Sequence, residues 1–328
     1  MSVRRKLLAV LQDNRGRWIS GEVLSSAMHI SRSAIWKHVG VLRSEGYGIE
    51  SLPNKGYLLH SSPDILTVEE IRNSLDTRYV NVRDVVCLKE TDSTNRRAKL
   101  LAEQGAPTGT LIVADAQTGG RGRKGRAWFS PAHTGIYVSL ILRPSIPPGE
   151  APRCALLTSV AVAEGLFTGC GVRGTIKWPN DILVNGKKIA GILIEIATEL
   201  DMVEYMIVGV GLNVSILPDD FPSEIRDSAT SILAETGIAI RRVDLLCEFL
   251  KQFEKYYEML SAGQFKDILH QWKEFEDVIG RTVRVDSGNT ACFGTVVEID
   301  SDGALLVRDS HGHLNRIFSG DITVVPEK

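Results

Sequence analysis

Residues 177–196 read KWPNDILVNGKKIAGILIEI. Two apolar runs, Ile182 to Val184 and Lys187 to Ile196, flank Asn185-Gly186. Asn-Gly between such runs is the strongest short hairpin signal, because both turn positions must accept positive φ. The hairpin sets Asp181 and Lys188 a few residues either side of the turn, near the same end. A carboxylate and an ammonium placed in this way are equally well explained as a surface ion pair. Val172 to Lys177 reads as the strand that leads in. A strand from near Val203 closes on Gly209-Val210-Gly211-Leu212-Asn213-Val214, where paired glycines let a ligand lie against the backbone and Asn213 can present its amide to a base edge. A plain bulge explains those glycines equally well.

Upstream, Val85 to Glu90 reads as a strand, Asp92-Ser93-Thr94-Asn95 as a turn and cap, Arg96 to Gln104 as a helix and Thr110 to Ala116 as a second strand. The second strand runs into Gln117-Thr118-Gly119-Gly120-Arg121-Gly122-Arg123-Lys124-Gly125-Arg126. Gly120, Gly122 and Gly125 match G-x-G-x-x-G in form. The dinucleotide fingerprint also needs a helix directly after it and an acid about 20 residues on. Trp128-Phe129-Ser130-Pro131 follows instead, then the apolar strand Ile136 to Leu142, with no acid between Asp115 and Glu150. Nicotinamide and flavin chemistry are therefore set aside. Glycines alternating with arginines let backbone N–H groups approach an anion while guanidinium groups close around it, which suits a phosphate or an acyl-adenylate. A solvated basic loop and a second nucleic-acid patch remain alternatives for this run alone.

Strands mixed with helices extend from residue 64 to 275, a mixed-sheet α/β domain. Before it, residues 1–63 hold three helical patterns. Val3, Leu7, Leu8 and Leu11 recur at helical spacing until Asn14 and Gly16; Ser20 caps Gly21 to Met28; His29 and Ile30 turn; Ser31 caps a third helix with Ile35, Val39 and Leu42 on one face. Arg32, Ser33, Trp36, Lys37, Gly40 and Arg43 fall opposite that stripe. Two strand-like runs, Tyr47 to Leu52 and Gly56 to Leu59, flank Pro53-Asn54-Lys55 as a wing. This is the layout of a winged helix-turn-helix, with Arg32, Ser33, Trp36 and Lys37 as DNA-binding candidates. A three-helix protein-docking module is the competing reading.

Long amphipathic patterns occupy about Arg242 to Leu260 and Phe265 to Phe275. Residues 276–328 then carry five short strand-like runs: Thr282 to Val285, Cys292 to Ile299, Ala304 to Arg308, Leu314 to Phe318 and Ile322 to Val325. Turn signals at Ser287-Gly288, Asp302-Gly303 and His311-Gly312 separate them, as in a small SH3-like β-barrel. His311-Gly312-His313 reads as a turn, and the seven histidines show no metal-ligand spacing.

The chain has 328 residues, 43% hydrophobic and 24% charged, enough for two or three domains. No run reaches the ~20 uninterrupted apolar residues of a membrane span. No cleavage site follows the charged N-terminus, so a cytoplasmic protein is expected. Cys87, Cys154, Cys170, Cys247 and Cys292 are scattered and read as small core residues rather than a disulfide or zinc framework. The net charge of -2 hides an asymmetry. Residues 1–62 hold nine Lys and Arg against four acids, net +5, and the remainder holds 29 against 36, net -7. A basic domain on an acidic body suggests that one end contacts a polyanion.

Taken in order, Asp92-Ser93-Thr94-Asn95, Gly120 to Arg126, Lys177 to Asp181, Lys188-Ile189-Ala190-Gly191-Ile192-Leu193-Ile194-Glu195 and Gly209 to Asn213 resemble the biotin protein ligases. With the basic N-terminal domain, the chain resembles their bifunctional bacterial type, which ligates biotin and represses biotin genes. The resemblance implies that Ser93, Thr94, Asn95 and Gln117 hold the biotin ring system, while Arg121, Gly122 and Arg123 line its tail and the adenylate phosphate in a loop that orders on ligand binding. It implies that Lys188 meets the carboxylate and phosphate oxygens, and that Asp181, with Asn180, organises the nucleotide and a Mg2+ ion. By the same resemblance Lys124 and Arg126 join the ATP contacts, Asn213 meets adenine, and Arg123, Lys188 and Asp181 carry the chemistry. ATP and biotin are then substrates. The implied partners are the biotin carboxyl carrier protein of acetyl-CoA carboxylase, operator DNA and a second copy of the chain, with no membrane.

No enzyme nucleophile is needed for such a reaction, because positioning and stabilisation of phosphoryl charge supply the acceleration. Two rivals stand: a repressor that senses its ligand without turnover, and a ligase for lipoate or an octanoyl group.

Overall fold

A computed structural model describes residues 3–75, 77, 84–287 and 290–325. Gly288 of the expected Ser287-Gly288 turn lies outside the described residues. The chain divides into two units, Met1–Ile65 and Leu66–Lys328.

In the first unit, helices α1 (Val3–Asp13), α2 (Gly21–Met28) and α3 (Arg32–Ser44) precede strands β1 (Gly48–Leu52) and β2 (Gly56–Ser61). The Ser20 and Ser31 hydroxyls accept the Val23 and Ala34 N–H groups, each at 3.2 Å, so both expected caps form. His29, left-handed at φ 54, ends α2. Ile35, Val39 and Leu42 are buried with Leu7, Leu11 and Leu24 in one small core. The wing pairs antiparallel, and Tyr57 also bridges back to Ile19. Gly56 has φ +102, and a Cβ there would stand 2.0 Å from the Ile19 carbonyl oxygen, so the wing can close only with glycine.

The second unit opens with α4 (Val68–Ser74), β3 (Val85–Thr91), α5 (Thr94–Glu103), β4 (Leu111–Gln117), β5 (Gly135–Leu142) and α6 (Ala151–Cys170). There follow β6 (Thr175–Lys177), β7 (Asp181–Val184), β8 (Lys187–Glu199), β9 (Met202–Asn213), α7 (Ile232–Thr236), α8 (Arg242–Ser261) and α9 (Phe265–Lys273). Seven strands form a mixed sheet in the order β3-β4-β5-β9-β8-β7-β6; β3 and β4 run parallel and the other neighbours antiparallel. Helix α5 covers one face, with Ala98 and Ala102 against Ile112, Ile141 and Tyr205. Helices α6, α8 and α9 pack together within the main core, where α6 also meets β8. Covered on both faces, β5 is buried at all eight residues, which is why it reads as an unbroken apolar run with only Ser139 interrupting.

Three local expectations need correction. Helix α5 begins at Thr94 with Ser93 as its cap, so Thr94 and Asn95 belong to its first turn rather than to the preceding bend. The strand read from Val172 starts only at Thr175, because Gly171, at φ 71, ends a 20-residue helix that the sequence reading left unassigned. That helix is apolar nearly all round, the pattern of a helix buried on several sides. By length and composition Pro148–Cys170 could cross a membrane, yet most of it is buried inside the fold.

Strands β10 (Thr282–Ser287), β11 (Thr290–Ile299), β12 (Leu305–Arg308), β13 (Leu314–Ile317) and β14 (Asp321–Val324) make one antiparallel sheet, in the order β13-β12-β11-β10-β14. Its Val283, Val285, Val296, Leu305 and Val307 belong to the same core as α6 and the mixed sheet. His311 and His313 stand on a turn whose N–H groups donate to Asp309. The five cysteines are free, Cys154 and Cys247 buried and the other three half-buried.

Candidate active site

A cavity of about 370 Å³ opens at the ends of β4, β8 and β9. Its floor is neutral and polar. The Gln117 carbonyl oxygen accepts from the Thr94 backbone N–H at 2.8 Å, and the Gln117 amide donates to the Ser130 hydroxyl at 2.9 Å. Ser139 donates to the Asn95 carbonyl oxygen at 2.7 Å and lies 2.8 Å from the Thr94 hydroxyl. The Asn95 amide donates to Glu195 at 2.7 Å and to the Leu193 carbonyl at 3.3 Å. Asn95 thus has its polar atoms engaged by protein. Gly209 is required by it, since a Cβ there would stand 2.0 Å from Asn95 Oδ1.

The paired glycines expected to admit a ligand admit the protein's own side chains. A Cβ at Gly211 would meet the Trp128 indole at 2.4 Å, and one at Gly191 would meet it at 2.9 Å. Trp128 therefore lies flat on the strand ends. Its indole nitrogen is buried without a hydrogen-bond partner.

Residues 120–126 fold into a tight turn. The Gly122 N–H donates to the Arg126 carbonyl at 2.7 Å and the Trp128 N–H to the Gly120 carbonyl at 2.9 Å; Lys124 and Gly125 are left-handed, at φ 55 and 75. The Gly122 N–H is thus used inside the loop rather than pointed at an anion. Arg123 donates to Asn180 Oδ1 at 3.0 Å and to the Gly320 carbonyl at 3.3 Å. Arg126 and Lys124 both reach Asp321, at 2.5 and 3.2 Å. Burial pushes the Asp321 carboxyl up, but the Lys124 hydrogen bond and the charges of Arg126 and Arg123 outweigh it and hold the pKa below the usual carboxylate range.

The β7–β8 turn forms with Asn185 at φ 50 and Gly186 at φ 77. Across the hairpin the Lys188 ammonium stands 2.8 Å from Asp181 Oδ1 and 5.3 Å from the Trp128 ring centre. Asn180 is fixed beside them by its amide, which donates to the Ile192 carbonyl at 2.8 Å. Asn213, 4% exposed, donates to the Thr230 carbonyl at 2.9 Å, leaving its other amide hydrogen for the cavity. Five basic side chains (Arg121, Arg123, Arg126, Lys177, Lys188) and two carboxylates (Asp181, Asp321) line the cavity. That excess of positive charge beside a polar floor suits a ligand with a neutral head and an anionic tail.

A model of the Biotin/lipoate A/B protein ligase family matches residues 87–213. The "Bifunctional ligase/repressor BirA" of Bacillus subtilis is 40% identical over 321 residues, covering 98% of this chain and 98% of that protein. The chain belongs to the bifunctional biotin ligase/repressor family. Escherichia coli BirA, another bifunctional ligase/repressor, is 30% identical over 98% of this chain and 97% of its own. Among solved structures, the Aquifex aeolicus biotin protein ligase in complex with biotin and ATP superposes with a TM-score of 0.64 at 30% identity, covering 75% of this chain and all of that one.

The HTH domain model spans residues 3–58 of this ligase/repressor, and the biotin protein ligase C-terminal model spans 278–325. On the helix-turn-helix unit, Arg32, Ser33, Trp36 and Lys37 are all solvent-exposed on one face of α3, Trp36 by 63%. Arg32 pairs with Glu22 at 2.9 Å. Arg43, on the same face, instead ties α3 to the wing through the Ile49 carbonyl and the Ser51 hydroxyl. In the ligase unit, Ser93, Thr94, Asn95, Gln117, Arg121, Gly122, Arg123, Arg126, Asn180, Asp181, Lys188 and Asn213 all line one cavity. Lys124 is not among the lining residues; its ammonium is held by the Asp286 carbonyl and by Asp321. The sequence reading missed Ser139 beneath the floor and the lining residues Trp128, Phe221 and Asp321. A hydroxyl inside an apolar strand is a usable signal for Ser139; nothing local marks Asp321, 195 residues beyond the Arg126 it meets.

Proposed function

We propose that this chain activates biotin with ATP as biotinyl-5′-AMP and transfers it to a lysine of the biotin carboxyl carrier protein of acetyl-CoA carboxylase. In the same proposal it represses transcription by binding operator DNA through α3. One observation carries the ligase reading: a single cavity joins the uncharged Ser93–Gln117 floor to the cationic rim of Arg121, Arg123, Arg126 and Lys188.

In this reading the floor holds the ureido head through Ser93, Thr94 and Gln117, with Asn95 bracing it from its own protein contacts. Arg121, Gly122 and Arg123 follow the tail. The biotin carboxylate attacks the α-phosphate and pyrophosphate leaves; Lys188, Arg123 and Arg126 stabilise the charge that develops on the phosphoryl oxygens. The acceptor amine then attacks the anhydride carbonyl and AMP leaves. Lys124 has to leave Asp321 to reach a nucleotide. Asn213 faces adenine.

Asp181 suits a magnesium ion. Its Oδ1 is buried and makes no hydrogen bond, although the Lys188 ammonium is close. Magnesium is commonly held by one or two carboxylates plus substrate phosphates, so Asp181 with Asn180 beside it is a sufficient protein share. The bound ion would supply positive charge to the leaving pyrophosphate.

Repression is supported by the capped helix-turn-helix with its exposed cationic face. A homodimer follows from the match between two-fold proteins and paired half-sites. Free thiols suit a cytoplasmic setting. Biotin-dependent exchange of labelled pyrophosphate into ATP is the test. A ligase gives exchange with biotin and not with lipoate or octanoate, whereas a sensor without turnover gives none.

A further inference from the structure

Thr230 lies behind the cavity wall, hydrogen-bonded to two residues that line it, Lys188 and Asn213. It is 3% exposed, and all three of its polar groups are committed. Its N–H donates to the Lys188 carbonyl at 2.9 Å. Its carbonyl accepts the Asn213 amide at 2.9 Å. Its hydroxyl donates to Glu235 Oε1 at 2.6 Å. The other Glu235 oxygen, Oε2, accepts from the Asn185 amide at 2.6 Å, at the turn of the hairpin that carries Asp181 and Lys188.

The backbone around Thr230 is stitched to the sheet. Lys188 N–H donates to the Ser228 carbonyl at 2.7 Å, and Lys188 and Ala229 pair as a parallel bridge. One residue later, Ser231 caps α7 and donates to the Ile216 carbonyl at 2.7 Å, which anchors the far end. Ser228 and Ala229, just before Thr230, line the cavity wall.

We infer that Thr230 and Glu235 are positioning residues for the nucleotide half of the site: together they set the spacing between Lys188, which meets phosphate, and Asn213, which meets the base. This rests on the ligase reading given above. Glu235 is suited to the task because a carboxylate can accept two hydrogen bonds at once, from the Thr230 hydroxyl and the Asn185 amide, and so fixes the wall segment and the hairpin turn together. Neither residue meets the biotin floor, so the two substrates should respond differently. Charge-bearing groups held within fractions of an ångström of the reacting atoms lose effectiveness when their supports slacken.

The experiment uses the full chain and calorimetry. Biotin is titrated first; magnesium-ATP is then titrated into protein saturated with the alcohol analogue of biotin, which has no carboxylate to activate. Thr230→Val keeps the shape and removes the hydroxyl, and Thr230→Ser restores it. The expected result for Thr230→Val is ATP affinity down at least fivefold, biotin affinity within twofold of the parent, and return of ATP affinity in Thr230→Ser. Glu235→Gln, which turns one acceptor into a donor toward one of its two donors, should show the same split, and decides the matter if Thr230→Val fails to fold. Equal losses for both ligands, no loss for either, or no restoration by serine would overturn the inference. If the parent protein binds neither biotin nor ATP, the ligase reading itself fails; a parent that binds both while the variants show no split sinks only the positioning role.

Discussion

The ammonium of Lys188 and the carboxylate of Asp181 face each other at 2.8 Å across the β7–β8 hairpin, on residues seven apart in sequence. Asp181 and Leu183 share one face of β7 by alternation, and Lys188 opposes Leu183, so the two charged groups fall on the same side of the hairpin; a bulge between Ile182 and Leu183 then shifts Asp181 to oppose Gly191. Lys188→Met should lower the rate of adenylate formation by about 10²- to 10³-fold, the size seen when one group stabilising developing charge is removed. Single-turnover formation of biotinyl-5′-AMP from labelled ATP measures it. A drop of less than tenfold would put Lys188 outside the chemistry.

Arg123 ties the 120–126 turn to Asn180 and to the Gly320 carbonyl, so it links the loop to both walls of the cavity. Arg123→Gly should release adenylate into solution at least ten times faster, read by gel filtration of protein loaded with labelled intermediate. Retention equal to the parent would show that the turn holds the intermediate without this side chain.

Gly209 leaves room for the Asn95 amide, which a methyl group would meet at 2.0 Å. Gly209→Ala should displace Asn95 and weaken biotin binding tenfold or more, with ATP binding less affected. The overpacking itself should cost about 1–3 kcal/mol of stability. Calorimetry with each ligand and a thermal melt separate the two effects; unchanged biotin affinity would mean that the polar floor does not hold the head group.

Lys37 is solvent-exposed on the outer face of α3. Lys37→Ala should weaken operator binding and reduce the slope of log affinity against log salt by about one if it contacts a phosphate. Pyrophosphate exchange should be unchanged. Parallel loss of both activities would argue against separable units.

Asp321 has a depressed carboxyl pKa set against its burial by Lys124 and the neighbouring arginines. A depressed carboxylate contributes stability above its unfolded value of about 3.9, and that contribution is lost as pH falls through the lower folded value. The strap between the loop and the C-terminal sheet should therefore hold throughout the neutral range and loosen only in acid. Asp321→Asn should loosen it at neutral pH, seen as faster trypsin cleavage after Arg123 or Lys124. An unchanged cleavage rate would show that the carboxylate does not secure the turn.

Much of this architecture was legible because the decisive signals are local. Ser20 and Ser31 mark caps, the Asn185-Gly186 turn needs only its own two φ angles, and the stripe of Ile35, Val39 and Leu42 names its buried face by helical spacing. Helix α6 was missed because burial on several sides erases the amphipathic contrast on which such reading depends. The glycines at 209 and 211 were legible as special positions, yet their occupants, Asn95 and Trp128, are set by contacts more than 80 residues apart in the chain.

From sequence alone come the order of the units, the capped helix-turn-helix, the hairpin and the run of residues that ends up around one cavity. Each follows from periodicity, turn chemistry or charge within a few residues of itself. Tertiary structure alone decides that Lys124 pairs with Asp321, that Ser139 braces Thr94 and Asn95, and that Thr230 ties Lys188 to Asn213. Those relationships depend on which strands become neighbours, and strand neighbours are chosen by burial of the whole sheet rather than by any segment's own pattern.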